Sequence, residues 1–268
     1  MGLYLNPNAE AFLMGLNSEI YVDKSLVISE LNKLACSQSN FVCMSRPRRF
    51  GKSMVGNMIS AYYSKGCDTR EIFSKMKVGQ KSEYDKYLNK FNVIKLDLNG
   101  WYQNSINEDG VETLIKNIHS TLLKEFRTEF PNIIFDDGSS IAKNILNVYA
   151  QTGEKFVIII DEYDVLVRER VPEKLFQDYL SFLNALFKDT TLRPAIALAY
   201  ITGIIPIVRD KIQSKLNEFW EYTMLKPMQF ADMIGFTKEE VQDLCDQYGM
   251  DIEELRRWYD GYQLSPTA

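Results

Sequence analysis

The sequence predicts an α/β fold with a parallel five-stranded sheet flanked by helices. Three continuous apolar runs, typical of strands buried on both faces, support this prediction: Phe41–Met44, Phe156–Ile160 and Ala195–Ile201. The stretches between them are long enough for crossover helices, so right-handed parallel connections follow. Val93–Leu98, whose alternation suits an edge strand, and the short Tyr222–Leu225 complete the sheet.

Helices are predicted where apolar residues recur at helical spacing. These stretches are Ser25–Ala35, Met54–Tyr63, Glu112–Phe126, Ile141–Ala150 and Glu173–Leu186. From Phe230 onward the pattern is helical, with a capping box at Thr237–Glu240, a second helix start at Asp251 and Gly261 as a helix end. We therefore expect an α/β domain over residues 1–228 and a small helical lid over residues 229–268.

Composition excludes several classes of protein. The chain has 268 residues, 46% of them hydrophobic and 25% charged, which is ordinary globular composition. A net charge of −5 argues against a broad basic surface for nucleic acid. No long apolar span or signal peptide is predicted, and four scattered cysteines without a C-x-x-C motif favour a reducing cytoplasm. One histidine, His119, excludes a multi-histidine metal site and is interpreted as an ordinary helix residue.

The octapeptide RPRRFGKS, residues 46–53, follows the first strand and precedes a helix, which is the context of a phosphate-binding loop. Gly51 lets the backbone approach phosphates, and Lys52 reaches the β- and γ-phosphates. Ser53 is the expected ligand of Mg²⁺. Arg46 stands where the usual loop pattern has its first glycine.

The rest of the octapeptide adds Arg48, Arg49 and Phe50 to the expected nucleotide contacts. The two arginines are candidates for clamping the γ-phosphate. Pairing with the acidic turn Asp161–Asp164 is the alternative, and at least one of them is expected to be structural, since buried acids need partners.

The run that ends in Asp161-Glu162-Tyr163-Asp164 resembles a Walker B strand. Asp161 is the candidate Mg²⁺ ligand, and Glu162 the candidate base or orienting group for water. Asp164 is expected either to make a supporting hydrogen bond or to cap the next helix. Acids at the carboxyl end of a buried strand lie where open α/β sheets bind ligands. A solvated acidic turn is the competing interpretation.

Three more residues are candidates because of their place at strand ends. Thr202 ends the fourth strand, where its hydroxyl is expected to orient water or sense the γ-phosphate; a strand-end threonine without such a role is the alternative. Arg209 follows one short loop later and is expected to contact a phosphate or to reach a neighbouring subunit as an arginine finger; a surface arginine is the alternative. Asp97 closes the second strand at the same edge.

These motifs together resemble the bacterial AAA-ATPase-like proteins, which are P-loop ATPases similar to the archaeal-type and AAA+ ATPases. The resemblance covers about residues 10–262 and rests on RPRRFGKS, IIIDEYD, YVDK at 21–24, TGI at 202–204, GFT at 235–237 and WYDGY at 258–262. It implies a sensor role for Thr202 and a C-terminal helical lid. It also implies an adenine-side role for Tyr21 and Val22, for which ordinary core packing is the alternative. Arg46 belongs to that family's own loop pattern. Relatives often continue into a domain resembling a restriction endonuclease, whose motifs this sequence lacks.

The expected activity is Mg²⁺-dependent binding and hydrolysis of ATP, with Lys52, Glu162 and Thr202 as catalytic residues. The alternative is a nucleotide-dependent switch or scaffold with negligible turnover. ATP and ADP are the expected ligands, and a second copy of the chain or a fused effector domain is a possible partner. A nucleic-acid-handling enzyme has little support in this sequence.

Overall fold

The computed structural model describes residues 2–107, 110–207 and 216–258. Its strands are β1 Phe41–Ser45, β2 Asn92–Asp97, β3 Phe156–Asp161, β4 Ile196–Gly203 and β5 Trp220–Tyr222. Its first helices are α1 Glu10–Leu16, α2 Leu26–Leu34, α3 Lys52–Tyr63, α4 Arg70–Ser74, α5 Leu98–Asn107 and α6 Leu114–Glu129. They are followed by α7 Ile141–Thr152, α8 Val165–Arg168, α9 Glu173–Phe187, α10 Lys238–Tyr248 and α11 Ile252–Trp258.

The five strands form one parallel sheet in the order β2-β3-β4-β1-β5. This confirms the predicted α/β class, and β2 lies at an edge as its alternating pattern indicates. The fifth strand is displaced from its predicted place: it covers Trp220–Tyr222 and shares only Tyr222 with the predicted range.

The register of the parallel strands brings the carboxyl ends of β2, β3, β4 and β1 into one row. Asp97 pairs with Asp161, Asp161 pairs with Thr202, and Thr202 pairs with Met44. Arg46 follows two residues beyond Met44. Residues far apart in sequence therefore meet at this edge of the sheet, where open α/β folds bind ligands.

The sheet separates two layers of core because successive strand residues point to opposite faces. Phe41 and Cys43 pack with the face covered by α6, α7 and α9, whereas Val42 and Met44 pack with the face covered by α1, α2 and α3. Every residue of β3 is buried, which explains its uninterrupted apolar sequence.

Helices α1, α4 and α5 were not predicted from the sequence. Helices α1 and α4 have only seven and five residues, too few to show a helical period. Helix α5 begins at Leu98, followed by Asn99 and Gly100, which are poor helix formers. The structure thus turns into a helix directly after Asp97, where the sequence extends the strand to Leu98.

Helix α10 begins as the sequence predicts. Thr237 accepts a hydrogen bond from the Glu240 amide, and Glu240 accepts one from the Thr237 amide, which forms a capping box. The division into a domain and a lid at residue 228 stays a prediction. The predicted helix end at Gly261 lies outside the described residues.

The other expectations from composition concern single residues. His119 lies on α6 and its Nδ1 accepts a hydrogen bond from the Ile141 amide at 3.2 Å, with its pKa lowered by burial. Within the described ranges, no helix has both the length and the apolarity needed to cross a membrane.

Candidate active site

The loop between β1 and α3, residues 46–51, has the backbone geometry of an anion-binding turn. Arg49 has a φ of 69° and Gly51 a φ of 77°, both in the left-handed region. Left-handed residues in a loop are typical of the concave N–H arrangements, called nests, that bind anions. Helix α3 begins at Lys52, and its first amides lack intrahelical partners. Loop and helix start together can receive a phosphate.

Glycine at position 51 is favoured by its backbone angle. A Cβ added there meets no atom within 4 Å, so crowding by the protein does not demand glycine. The left-handed φ favours glycine, because it brings a Cβ close to the backbone of the same residue, a cost that Arg49 bears in the same loop.

Lys52 is buried and bound to its own loop. Its Nζ donates to the carbonyl oxygen of Pro47 at 2.9 Å. Burial lowers the pKa of Lys52, while the carboxylates of Asp161, Glu162 and Asp164 oppose that shift. The ammonium therefore faces the acidic turn after β3, and a phosphate oxygen could replace the Pro47 carbonyl as its acceptor.

Ser53 and Asp161, the two candidate metal ligands, lie close together, although one comes from the start of α3 and the other from the end of β3. Burial raises the pKa of Asp161, and neighbouring Asp97 and Glu162 raise it further, whereas the Ser53 hydroxyl and the Lys95 ammonium oppose that shift. A buried carboxylate near a hydroxyl is a donor set that fits Mg²⁺, which prefers hard oxygen ligands and keeps several waters.

This site contains few protein ligands. The described part of the chain has no group of three or more His, Cys, Asp and Glu side chains arranged to hold a metal ion. Ser53 is exposed, so water and substrate oxygens could complete an octahedral shell.

Glu162 lies on the sharp turn that follows β3. Its φ of 53° is left-handed, which is unusual for a residue with a side chain and typical of strained functional turns. Its amide donates to Asp161 Oδ1 at 3.0 Å. Its carboxylate accepts a hydrogen bond from Arg168 Nη2 at the end of α8. Sequence reasoning missed Arg168, whose only signal is its position six residues after Glu162.

Asp164 supports the neighbouring loop rather than capping α8. Its Oδ2 accepts hydrogen bonds from the amides of Ile204 at 3.1 Å and Ile205 at 2.9 Å. A Cβ at Gly203 would lie 2.7 Å from Asp164 Oδ1, so the close approach requires glycine. Of the two roles expected for Asp164, the structure has the supporting hydrogen bonds and no side-chain cap.

Thr202 lies beside Asp161 in the sheet, and its hydroxyl is already engaged. Its Oγ1 donates to the Met44 carbonyl oxygen at 2.9 Å, and the residue is fully buried. In this arrangement Thr202 links β4 to β1. The other candidate beyond this strand, Arg209, lies outside the described residues.

The contacts of Arg46 explain why an arginine can stand where the usual loop pattern has its first glycine. Its side chain is fully buried and turns away from the loop. Nη1 donates to the carbonyl oxygens of Ser45 at 2.9 Å and Tyr222 at 2.8 Å, and Nη2 donates to that of Phe230 at 3.4 Å. Arg46 thus ties the end of β1 to β5 and to the segment before α10. Burial lowers its pKa.

The remaining loop candidates lie nearer the surface. Arg48 and Arg49 are exposed, as a clamp on a phosphate requires. Phe50 is half-buried, and a Cβ at Gly235 would lie 2.8 Å from its Cδ1. The loop therefore touches the segment that leads to α10.

The structure places Tyr21 on the α3 side of the sheet, and both Tyr21 and Val22 are half-buried. The Tyr21 hydroxyl lies 4.0 Å from Met58 Sδ, and burial raises the pKa of Tyr21. Nearby Lys24 forms an ion pair with Glu240 of α10 and donates to the Asp232 carbonyl at 2.9 Å. The segment expected at the adenine is therefore joined to the expected lid.

A cavity of about 700 Å³ adjoins the loop on its β5 side. Arg46, Pro47, Ile204, Trp220 and Glu221 contribute to its wall. It does not include Lys52, Ser53 or Asp161, so it is distinct from the candidate phosphate and metal contacts.

Comparison with known proteins agrees with the motifs. The model of a family described as "Predicted AAA-ATPase" matches residues 14–213, most of the chain. The chain belongs to this AAA-ATPase-like family. The resemblance inferred from the loop and the Walker B strand is thereby confirmed.

One curated protein and one solved structure are also similar to this chain, both at low sequence identity. An uncharacterized protein in the vnfD 5′ region of Azotobacter chroococcum mcd 1 is 22% identical over 255 residues, which cover 92% of this chain and 46% of the relative. The chain thus spans about half the length of this curated relative. The ORC2 protein of Aeropyrum pernix, solved as ADPNP–ADP complexes, is 12% identical, with 90% of this chain and 55% of that chain covered and a TM-score of 0.38. At that score we draw nothing from the likeness.

Replacing Arg46 with methionine should destabilise the fold. Methionine fills part of the same volume but leaves the carbonyl oxygens of Ser45, Tyr222 and Phe230 without this donor. We expect Arg46→Met to lower the free energy of unfolding by roughly 2–4 kcal/mol, measured by urea denaturation. Arg48 is exposed, so Arg48→Met is the matched control and should change the free energy of unfolding by less than about 0.5 kcal/mol. Equal effects of the two substitutions would contradict the structural role of Arg46.

Replacing Asp161 with asparagine should stabilise the chain at neutral pH. Because burial raises the pKa of Asp161 in the folded state, folding favours its neutral form, and this contribution is lost as pH rises through the folded-state pKa. Asp161→Asn should therefore raise the melting temperature at pH 7, with the difference shrinking toward about pH 4. Exposed Asp243→Asn should show no such pH-dependent gain. A destabilised Asp161→Asn at pH 7 would contradict this electrostatic account.

Proposed function

We propose that this chain binds ATP with Mg²⁺ and hydrolyses the bond between its β- and γ-phosphates. The observation that carries the proposal is the convergence of Lys52, Ser53, Asp161 and Glu162 at one edge of the sheet. The Ser53 hydroxyl lies close to the Asp161 carboxylate, and Lys52 lies within electrostatic range of the acidic turn. A cation and a hydroxyl at the start of a helix, with two carboxylates at the end of β3, are the groups that phosphoryl transfer to water uses.

Each group has a distinct role in this proposal. The amides of Gly51, Lys52 and Ser53 bind the phosphates, and Lys52 Nζ exchanges the Pro47 carbonyl for β- and γ-phosphate oxygens. Ser53 and Asp161 hold Mg²⁺. When bound, this ion neutralises charge on the β- and γ-phosphates.

Glu162 orients the attacking water by accepting a hydrogen bond from it. The water oxygen forms a bond to the γ-phosphorus as the bond from that phosphorus to the β,γ-bridging oxygen breaks, and the water proton passes toward the Glu162 carboxylate. Most of the rate acceleration comes from positioning and electrostatic stabilisation.

The alternative is an ATP-dependent switch or scaffold with negligible turnover. The ion pair between Glu162 and Arg168 favours this alternative, because it engages the proposed base in the absence of nucleotide. Both functions require ATP binding, and only hydrolysis requires a working Glu162.

The segment from residue 229 onward is proposed as a lid that responds to nucleotide. Two contacts of this segment with the rest of the chain support it: Phe50 of the loop approaches Gly235, and Lys24, which precedes α2, pairs with Glu240. A change at the phosphates could thereby reach α10. A second copy of the chain or a linked effector domain is the proposed recipient of that change.

Lys52→Ala should weaken ATP binding. The substitution removes a charged donor to the β- and γ-phosphates, so we expect a loss of roughly 2–4 kcal/mol by calorimetry with Mg·ATP. Lys116 is exposed on α6, and Lys116→Ala is the control for loss of one positive charge. Equal affinity of wild type and Lys52→Ala would mean that residues 46–53 are not a working phosphate loop.

Glu162→Gln should impair turnover more than affinity. The amide keeps the shape of the side chain but cannot take up a proton, so phosphate release should fall about 100-fold or more while ATP remains bound. Steady-state phosphate release together with calorimetry measures both quantities. Wild-type turnover in the variant would move the water-orienting role to another residue. Absence of turnover in wild type, with ATP bound, would favour the switch.

A further inference from the structure

Arg168 contacts two carboxylates of the acidic turn Asp161–Asp164. It is the last residue of α8, the four-residue helix after that turn. Its Nη2 donates to Glu162 Oε2, and its Nε lies 3.7 Å from Asp164 Oδ2. The Arg168 side chain is 13% exposed, the Glu162 side chain 28%, and the Asp164 side chain is fully buried. These contacts are shielded from water and are stronger than a surface ion pair.

The guanidinium of Arg168 leaves two of its hydrogen-bond donors unused. Within the described residues, Nε and Nη1 of Arg168 are buried without a hydrogen-bond partner, since 3.7 Å is too long for a hydrogen bond. Arg168 also lies close enough to Lys52 to lower the pKa of that ammonium. Two cations near each other and two unused donors are costly, which is typical of functional sites rather than of groups selected for stability alone.

The contact with Asp164 extends the influence of Arg168 to the next strand. Asp164 accepts hydrogen bonds from the amides of Ile204 and Ile205, which directly follow β4, the strand that carries Thr202. Arg168 is therefore at the junction of the turn that carries Glu162 and the loop that follows Thr202. Movement of the guanidinium would disturb both.

The Glu162 carboxylate has few other constraints. Its backbone is left-handed, so the side chain leaves the sheet at a turn and not from a strand flanked by neighbours. Among the described residues, the hydrogen bond that holds its carboxylate comes from Arg168. The direction of Glu162 thus depends on that guanidinium.

We propose that Arg168 is the positioning residue for Glu162: it orients the carboxylate toward the attacking water. This inference rests on the proposed hydrolysis of ATP. Arg168 acts through Glu162 and does not itself contact the reacting atoms. Arginine suits the role because its planar fork can hold one carboxylate while staying near another, which a lysine ammonium does less well.

Kinetics of Arg168→Gln, Arg168→Lys and the exposed control Arg170→Gln test the proposal. We expect Arg168→Gln to lower kcat about 10–100-fold, as loss of an orienting partner does at other sites. The ATP dissociation constant should change less than about threefold, and Arg168→Lys should recover part of the rate. Arg170→Gln should match wild type. Calorimetric stoichiometry gives the folded, ATP-binding fraction of each preparation, so loss of folding is not mistaken for loss of rate.

A double-substitution cycle shows whether Arg168 acts through Glu162. Adding Arg168→Gln to Glu162→Gln should change the residual single-turnover rate less than about twofold, because the carboxylate to be oriented is already gone. A full additional loss in that background would overturn the proposal, as would wild-type or faster turnover of Arg168→Gln alone.

Crystal structures of wild type and Arg168→Gln with Mg²⁺ and a non-hydrolysable ATP analogue give a readout that does not need turnover. The proposal predicts a different Glu162 rotamer in the variant, and an unchanged rotamer would overturn it. If wild type binds ATP but releases no phosphate, the proposed hydrolysis fails while the rotamer still decides whether Arg168 positions Glu162. If wild type hydrolyses ATP and Arg168→Gln does so equally well, only the positioning role fails.

Discussion

The pairing of β4 between β1 and β3 is the constraint on which the candidate site depends. It aligns Asp161 with Thr202 and Thr202 with Met44, two residues before the loop begins at Arg46. A shift of one residue in either pairing would turn the side chains of a strand to the opposite face. The fully buried, apolar strands fix this register, because any other alignment would expose part of two core layers. The core of the protein thereby sets the geometry of its acidic edge.

Charge at this edge is concentrated beyond what stability favours. Lys52, Asp161, Asp164 and Arg168 are all largely removed from water, and burial opposes the charged forms of Lys52 and Asp161. Glu162 adds a left-handed backbone to the same turn. This concentration of charge fits the proposed binding of a polyphosphate and a divalent cation, each of which would supply counter-charges to the buried groups. The packing of helices against both faces of the sheet offsets the unfavourable free energy of these buried charges.

Sequence patterns predicted the groups but not how they are engaged. Buried runs such as Phe156–Ile160 identify parallel strands, because strands covered on both faces must be apolar throughout. Such apolar runs do not identify the short edge strand β5, because Trp220 and Glu221 do not belong to one. Contacts across the fold have no local signal at all: neither the burial of Arg46 against Tyr222 nor the pairing of Arg168 with Glu162 follows from spacing.

The most direct test of this account is a crystal structure of the chain with Mg²⁺ and a non-hydrolysable ATP analogue. The account predicts β- and γ-phosphates against the amides of residues 51–53, with Lys52 Nζ moved from the Pro47 carbonyl to phosphate oxygens. It also predicts Mg²⁺ on Ser53 and Asp161. A nucleotide in the cavity beside Trp220, with Lys52 still bound to Pro47 and no ion at Asp161, would contradict it.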